Sequence, residues 1–285
     1  MQPGESSHSH DLIGPVDPET PLVLSVPHAG RDYPPSLCAA LGVPLAALMP
    51  LEDRYVDAVA LAVRVAETLV IARRARAWID LNRGEDERDP SIEEAGIAQR
   101  LPNRSPRVRS GLGLVPRRAV GSGPIWRRRW LATEIEARIE EDHRPYHRTI
   151  ATLLARARQR FGVAVLIDLH SMPPLMPAGS APQLVIGDRF GRSASPRLVS
   201  RIEDAARSTG LRVALNAPYA GGHLLDRHAA PASGIQAVQI ELDRTLYLDH
   251  RLDQPGPGLD RTTAALRALL DAVLDEVMPQ RLAAE

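Results

Sequence analysis

The sequence contains no lysine. All 35 basic residues are arginine, and 35 carboxylates balance them to a formal net charge of +0. A balanced chain has no global positive field, which argues against nucleic acid as a partner. Basicity carried by arginine alone fits a GC-rich coding sequence more than a function. It still matters locally, because the guanidinium fork matches a carboxylate at two points. There is a single cysteine, Cys38. One thiol excludes a disulfide framework and a cysteine-based metal site, and it fits a reducing compartment. The setting of Cys38, "PPSLCAALG", predicts a small buried hydrophobe rather than a nucleophile. No apolar run approaches the ~20 residues of a membrane-spanning helix. Residues 1–19, with His8 and His10, are polar, Pro-rich and free of a basic-then-apolar signal, so they are expected to form a mobile leader. The expected location is the cytoplasm, with no membrane partner. Catalytic signatures are missing too. There is no G-x-S-x-G elbow and no extended glycine-rich phosphate loop. His143 and His147 are four apart, but Pro145 lies between them and no Glu follows the first, so the H-E-x-x-H zinc motif fails.

What is present is a chain of 285 residues, 44% hydrophobic, long enough to bury a sizeable core. Residues 20–285 are expected to form a single α/β domain with a long loop insertion at 83–128. Strands are predicted at 21–27, 70–75, 77–82, 163–168, 183–187, 212–215 and 236–242. Helices are predicted at 53–69, at 128–160 with an interruption at Pro145, at 196–209 with Ser195 as its cap, and at 260–277. The 83–128 stretch is charged, rich in Gly and Pro and weakly periodic; a loop that long is usually functional or an inserted subdomain. Strands alternating with helices imply an α/β fold with a largely parallel sheet.

Ligands of such sheets sit beyond the carboxyl ends of the strands. Those ends are polar one after another: His28 after "LSVP", Asn82 and Arg83 after "WIDL", His170 after "LIDL", Asp188 after "LVIG", and Glu241 after "VQI". One polar strand end is an ordinary capped residue; several on one rim make a candidate site. Two histidines and one carboxylate with an open fourth position form a catalytic zinc site; His28 and His170 are the best imidazoles for it, and the alternative for His28 is a strand-end histidine hydrogen-bonded to backbone. For the carboxylate, "LEDRYVD" offers Glu52, Asp53 and Asp57. Asp53 stands where a helix starts and is equally suited to be its N-cap. Asp168 and His170, two apart in a strand, share a face. Asp168 either orients a metal-bound His170 or is itself a ligand. Arg83 beside Asn82 suits an anionic substrate group, or a surface ion pair with Glu85, Asp86, Glu87 or Asp89. Glu241 interrupts an apolar strand and suits a general base, or a pair with Arg244 or another arginine. His147 in "RPYH" is a further candidate to line the site, whereas His228 reads as an exposed loop histidine.

In chain order, "PLVLSVPHAGRDYP", "EDRYVDAVA", "WIDLNRGEDERDP", "RPYHRTI", "LIDLHSMPP", "LVIGDRFGRS", "NAPYAGG" and "IQAVQIELDRTLYLD" resemble the N-formylglutamate amidohydrolase family. Each motif is weak alone; the ordered set is specific. The resemblance implies a three-layer α/β/α fold with a central mixed, largely parallel sheet, akin to zinc-dependent exopeptidases, zinc carboxypeptidases and aspartoacylases. It implies hydrolysis of N-formyl-L-glutamate to L-glutamate and formate. One divalent metal, zinc above cobalt or manganese, would be bound by His28, Asp53 and His170. Glu241 would act as base and then acid. Asn82 and Arg83 would hold a substrate carboxylate, with Arg104 or Arg117 from the long loop for a second. Asp168 and His147 would support the ligands. The relatives place the acidic ligand three residues after the first histidine, where this chain has Arg31, so Asp53 is assigned from further along. The expected partner is a small anionic N-acyl amino acid. The alternatives are a deacylase of another N-acyl amino acid, a carboxypeptidase-like peptidase, and a metal-free dicarboxylate-binding protein.

Overall fold

Short aliphatic runs, buried along their length, build the middle of the sheet. The structure, a computed structural model, describes residues 9–94, 105–177 and 179–278. Its strands are β1 (His10–Ile13), β2 (Leu22–Val26), β3 (Thr68–Ala72), β4 (Ala164–Met172), β5 (Leu184–Gly187), β6 (Val213–Leu215) and β7 (Ile235–Asp243). They form one seven-stranded sheet in the order β1-β3-β2-β4-β7-β5-β6. β2, β3, β4 and β5 are buried along their whole length. Strands so covered on both sides read as continuous hydrophobic runs rather than as alternation. β2, β4 and β7 run parallel; β5 is antiparallel to β7 and parallel to β6.

The helices are α1 (Pro35–Ala40), α2 (Val56–Val63), α3 (Pro106–Arg109), α4 (Ala132–Arg138), α5 (Arg144–Phe161), α6 (Pro196–Ser208), α7 (His223–His228) and α8 (Leu259–Val277). The fold is therefore α/β, with a mixed, largely parallel sheet and flanking helices. α6 starts as expected: Ser195 Oγ accepts from Leu198 N, and Pro196 occupies the first turn. α2 and α6 both pack on α8; α2 also packs on β2 and β4, and α7 on β4 and β7. No helix among the described residues is long and apolar enough to cross a membrane.

The chain divides into two compact units, each discontinuous in sequence. The larger contains Ile13–Val26, Asp53–Val70 and the described residues from Ile150 onward. The smaller contains the described residues up to Leu12, Pro27–Glu52 and Ile71–Thr149. Because each unit is assembled from separate segments, no linker composition marks a boundary within the expected single domain. The expected 1–19 leader contains β1. His10 is anchored through Nε2 to Thr149 Oγ1 at 2.9 Å, and Ser9 O accepts from Arg73 N at 3.1 Å.

Four readings are corrected. Residues 77–82 form no strand but an irregular turn, because Asp80 directs the local hydrogen bonds: its Oδ1 accepts from Asn82 N and its carbonyl from Arg83 N. Asp188 does not join the rim shared by β4 and β7, since antiparallel pairing (Gly187 with Gln239, Leu184 with Leu242) points the end of β5 the other way. Cys38 is exposed, because Leu37 and Ala40 take the buried side of α1. His228 is buried, because α7 turns Leu224, Leu225 and His228 inward.

Candidate active site

Two buried aspartates, each in an Ile-Asp-Leu run, organise one cluster in each unit. In the larger unit, β4 presents Asp168 and His170 on one face of the sheet. Register places Ser25 of β2 and Gln239 of β7 beside Asp168, and Glu241 beside His170. Asp168 has one oxygen taken by Ser25 Oγ at 2.9 Å; the other accepts from His170 Nε2 at 2.8 Å. The second nitrogen of that ring, Nδ1, stands 3.0 Å from Asp53 Oδ2. Arg244 reaches Asp53 Oδ1 through NH2 at 3.3 Å, and its Nε donates to Ser171 Oγ at 3.1 Å. Glu241 is buried in β7, where Gln239 Nε2 donates to its Oε1 at 2.9 Å.

Burial by itself would lower the pKa of His170. The carboxylates of Asp168, Asp53 and Glu241 outweigh it and hold the imidazole well above the ordinary 6.5. A carboxylate oxygen at each nitrogen favours the protonated, imidazolium form of the metal-free ring.

The smaller unit repeats the theme. His28 Nε2 donates to Asp80 Oδ1 at 2.7 Å, and Arg76 Nε donates to Asp80 Oδ2 at 2.8 Å. Burial would raise the pKa of Asp80, but Arg76, Arg83 and His28 together hold it well below the usual carboxylate range. With Nε2 engaged by Asp80, Nδ1 is the ring nitrogen that faces away from the carboxylate, the arrangement seen when a carboxylate backs a metal-binding histidine. Asn82 and Arg83 follow in the same turn, both buried. The Arg83 guanidinium donates to Leu112 O at 2.8 Å (Nε) and Asn82 O at 2.6 Å (NH1), with NH2 3.7 Å from Asp80 Oδ2. The same side of this turn is met by His147, whose Nε2 donates to Leu81 O at 3.0 Å, and by His143, whose Nε2 donates to Arg83 O at 2.8 Å.

Several alternatives are thereby decided. The N-cap of α2 is Tyr55, in the left-handed region at φ 55°, so Asp53 is not spent on capping and its carboxylate faces His170. Glu52 instead accepts from the Tyr33 hydroxyl, and Asp57 lies half-buried on α2. Arg83 is a buried group held by backbone carbonyls, not a surface ion pair. Arg244 donates to Asp53. Arg117 is committed within the long loop: Nε donates to Asp89 Oδ2 at 2.7 Å and NH2 to Arg109 O at 3.0 Å. Arg104 lies outside the described residues.

Three residues that the sequence assigns no role in the site have a claim on it: Asp80, Arg244 and His143. Asp80 had a signal, because "WIDLN" repeats the spelling of "LIDLH". Arg244 had none, since only folding reveals which carboxylate an arginine meets.

Residues 20–248 match the sequence model of N-formylglutamate amidohydrolase. The chain belongs to the N-formylglutamate amidohydrolase family. Curated relatives include the N-formylglutamate deformylase of Pseudomonas aeruginosa, 30% identical over 263 residues, covering 89% of this chain and 92% of the relative. That of Pseudomonas putida is 31% identical over 268 residues, with the same coverage of both chains. Among solved structures, the crystal structure of N-formylglutamate amidohydrolase from Ralstonia eutropha JMP134 superposes with a TM-score of 0.85 at 32% identity. It covers 95% of this chain and 98% of that one. Membership of the family agrees with the resemblance read from the eight ordered motifs, and this superposition bears out the α/β fold.

Proposed function

We propose that this chain hydrolyses N-formyl-L-glutamate to L-glutamate and formate, using one divalent cation held by His28, Asp53 and His170. The observation that carries this reading is the buried aspartate on Nε2 of each histidine. Asp80 on His28 and Asp168 on His170 leave Nδ1 of both rings as the coordinating nitrogen. A carboxylate behind a ligating imidazole fixes its orientation and raises its basicity. The three ligands are buried and of the types a divalent ion takes. Two imidazoles and one carboxylate suit zinc, and cobalt or manganese are the alternatives. The substrate comes from the family and from the names of the two Pseudomonas relatives.

When bound, the cation supplies Lewis acidity toward the formyl oxygen and toward water. Glu241, beside His170 in the register, takes a proton from the water that attacks the formyl carbon. As the C–N bond breaks, it returns that proton to the departing glutamate nitrogen. Gln239 fixes the rotamer of Glu241 through its amide. Asn82 and Arg83 bind a carboxylate of the substrate, the guanidinium already oriented by two backbone carbonyls. A formyl group is the smallest acyl, so discrimination against larger acyl groups rests on the volume left beside the cation.

The test is a survey of N-acyl amino acids with the zinc-loaded protein. Rapid release of formate from N-formyl-L-glutamate is expected, with slow turnover of N-acetyl-L-glutamate and of N-formyl amino acids lacking the side-chain carboxylate. Faster turnover of the acetyl compound would make the chain a different deacylase. No turnover with zinc, cobalt or manganese would end the proposal.

Asp80→Asn is expected to weaken zinc binding by about 10–100-fold, because the amide no longer holds His28 in one tautomer. It also leaves Arg76 and Arg83 facing a neutral group, at a cost of about 3–5 kcal/mol in stability. Competition with a fluorescent zinc chelator and a urea melt read the two effects. Unchanged zinc affinity would remove Asp80 from the site.

A further inference from the structure

The turn that carries Asp80, Asn82 and Arg83 has little secondary structure of its own to hold it. One backbone bond ties it to the long loop, Asp80 N to Leu114 O at 2.8 Å. Further support comes from one helical run: α4, a five-residue π-helical turn at Ile139–His143, and α5. Four side chains of this run reach the turn. Arg138 NH1 donates to Trp78 O at 3.0 Å, and Asp142 Oδ2 accepts from Trp78 Nε1 at 2.7 Å. His147 Nε2 donates to Leu81 O at 3.0 Å, and His143 Nε2 to Arg83 O at 2.8 Å.

An uninterrupted α-helix would not place these four together. Arg138 and His147 are nine apart, roughly 2.5 turns, and would lie on opposite sides. A π-turn absorbs one residue, which leaves an effective spacing near 2.2 turns and brings both to one side. The extra residue costs hydrogen-bond geometry in the helix, and such turns cluster at functional sites. Here the gain is His143. It is fully buried, its ring lies 4.4 Å from that of His147, and its donor ends on the carbonyl of Arg83 itself.

We infer that His143 is a positioning residue for substrate binding. Its hydrogen bond sets the main chain of Arg83, and the Arg83 guanidinium follows because it is tied to Asn82 O and Leu112 O. This rests on the reading above in which Asn82 and Arg83 hold the substrate carboxylate. Loss of the bond therefore acts on binding more than on the chemical step.

The experiment compares His143→Leu, His143→Gln and Arg83→Lys as full-length, zinc-loaded proteins, with formate release from N-formyl-L-glutamate as the readout. For His143→Leu, kcat/KM is expected to fall about 10–100-fold, with the change in KM and kcat nearly untouched. His143→Gln, whose amide nitrogen occupies the Nε2 position, is expected to recover most of the loss; a purely architectural histidine would not be rescued this way. Should the leucine variant not fold, His143→Asn, whose amide is too short to reach the carbonyl, replaces it. The inference is overturned if the donor-less variant has wild-type KM, if its loss falls on kcat alone, or if glutamine does no better. If Arg83→Lys leaves KM unchanged, the carboxylate clamp is wrong and His143 loses its role with it. If Arg83→Lys raises KM while the His143 variants do not, only the inference about His143 fails.

Discussion

Glu241→Gln reduces formate release by about 10²–10⁴-fold while sparing substrate and metal binding; this is the expected result if Glu241 moves the proton. The substitution is nearly isosteric, and Gln239 Nε2, which now donates to Oε1, can still donate to the amide oxygen of a glutamine. What the amide lacks is a lone pair basic enough to take a proton from water. The His170 environment also changes, since Glu241 is among the carboxylates that raise its pKa, but Asp168 and Asp53 precede it in size. Zinc affinity and KM are therefore expected to stay within a few-fold of wild type, and the whole loss to appear in kcat. Single-turnover release of formate, with zinc content measured on the same sample, separates these quantities. Wild-type turnover in the glutamine variant would strike Glu241 from the mechanism.

Removal of divalent metal is expected to abolish turnover entirely, and zinc, cobalt or manganese to restore it. The structure adds a direction with pH. In the metal-free protein the surrounding carboxylates hold the pKa of His170 well above 6.5, which favours its protonated form. Coordination through Nδ1 needs that proton gone, so apparent metal affinity is expected to rise with pH up to the raised value and then level off. Titration calorimetry in buffers of different ionisation enthalpy should register about one proton released per ion bound at neutral pH. The stability of the metal-free protein follows the opposite course. A raised folded-state pKa contributes stability that is complete below the unfolded value, ~6.5, and is lost as pH rises through the folded value. Metal-free and metal-loaded proteins should thus diverge in melting temperature as pH increases. Full activity in protein shown by elemental analysis to lack metal would refute the proposed centre, and binding without proton release would refute the imidazolium.

Arginine 244 shows how far the site was readable from residues alone. Its spacing suggests Glu241, three positions away, as a partner; the fold brings it to Asp53, 191 positions away in sequence. Its chemistry was legible and its address was not. Asp80 shows the reverse. Its address was marked, two residues before Asn82 in a run that copies the one ending at His170, yet the reading of 77–82 as a strand hid the role. Asp80 bends the backbone through its own carboxylate and carbonyl, and a buried charge that organises a turn leaves no periodic trace.

The sequence by itself determined the family, the strands that run through the middle of the sheet, and the identities of the histidines and carboxylates at their ends. Hydrophobic runs of strand length and polar residues closing them are local features, and local features survive in one dimension. Only the tertiary structure decided that Asp53 faces His170 rather than capping α2. The same is true of Asp80 backing His28, and of β5 running against β7 so that Asp188 leaves the rim. It also decided that a π-turn swings His143 toward Arg83. Each of these is a pairing across long sequence separation or a rotation by one residue, and both are set by which surfaces bury against each other once the chain is compact.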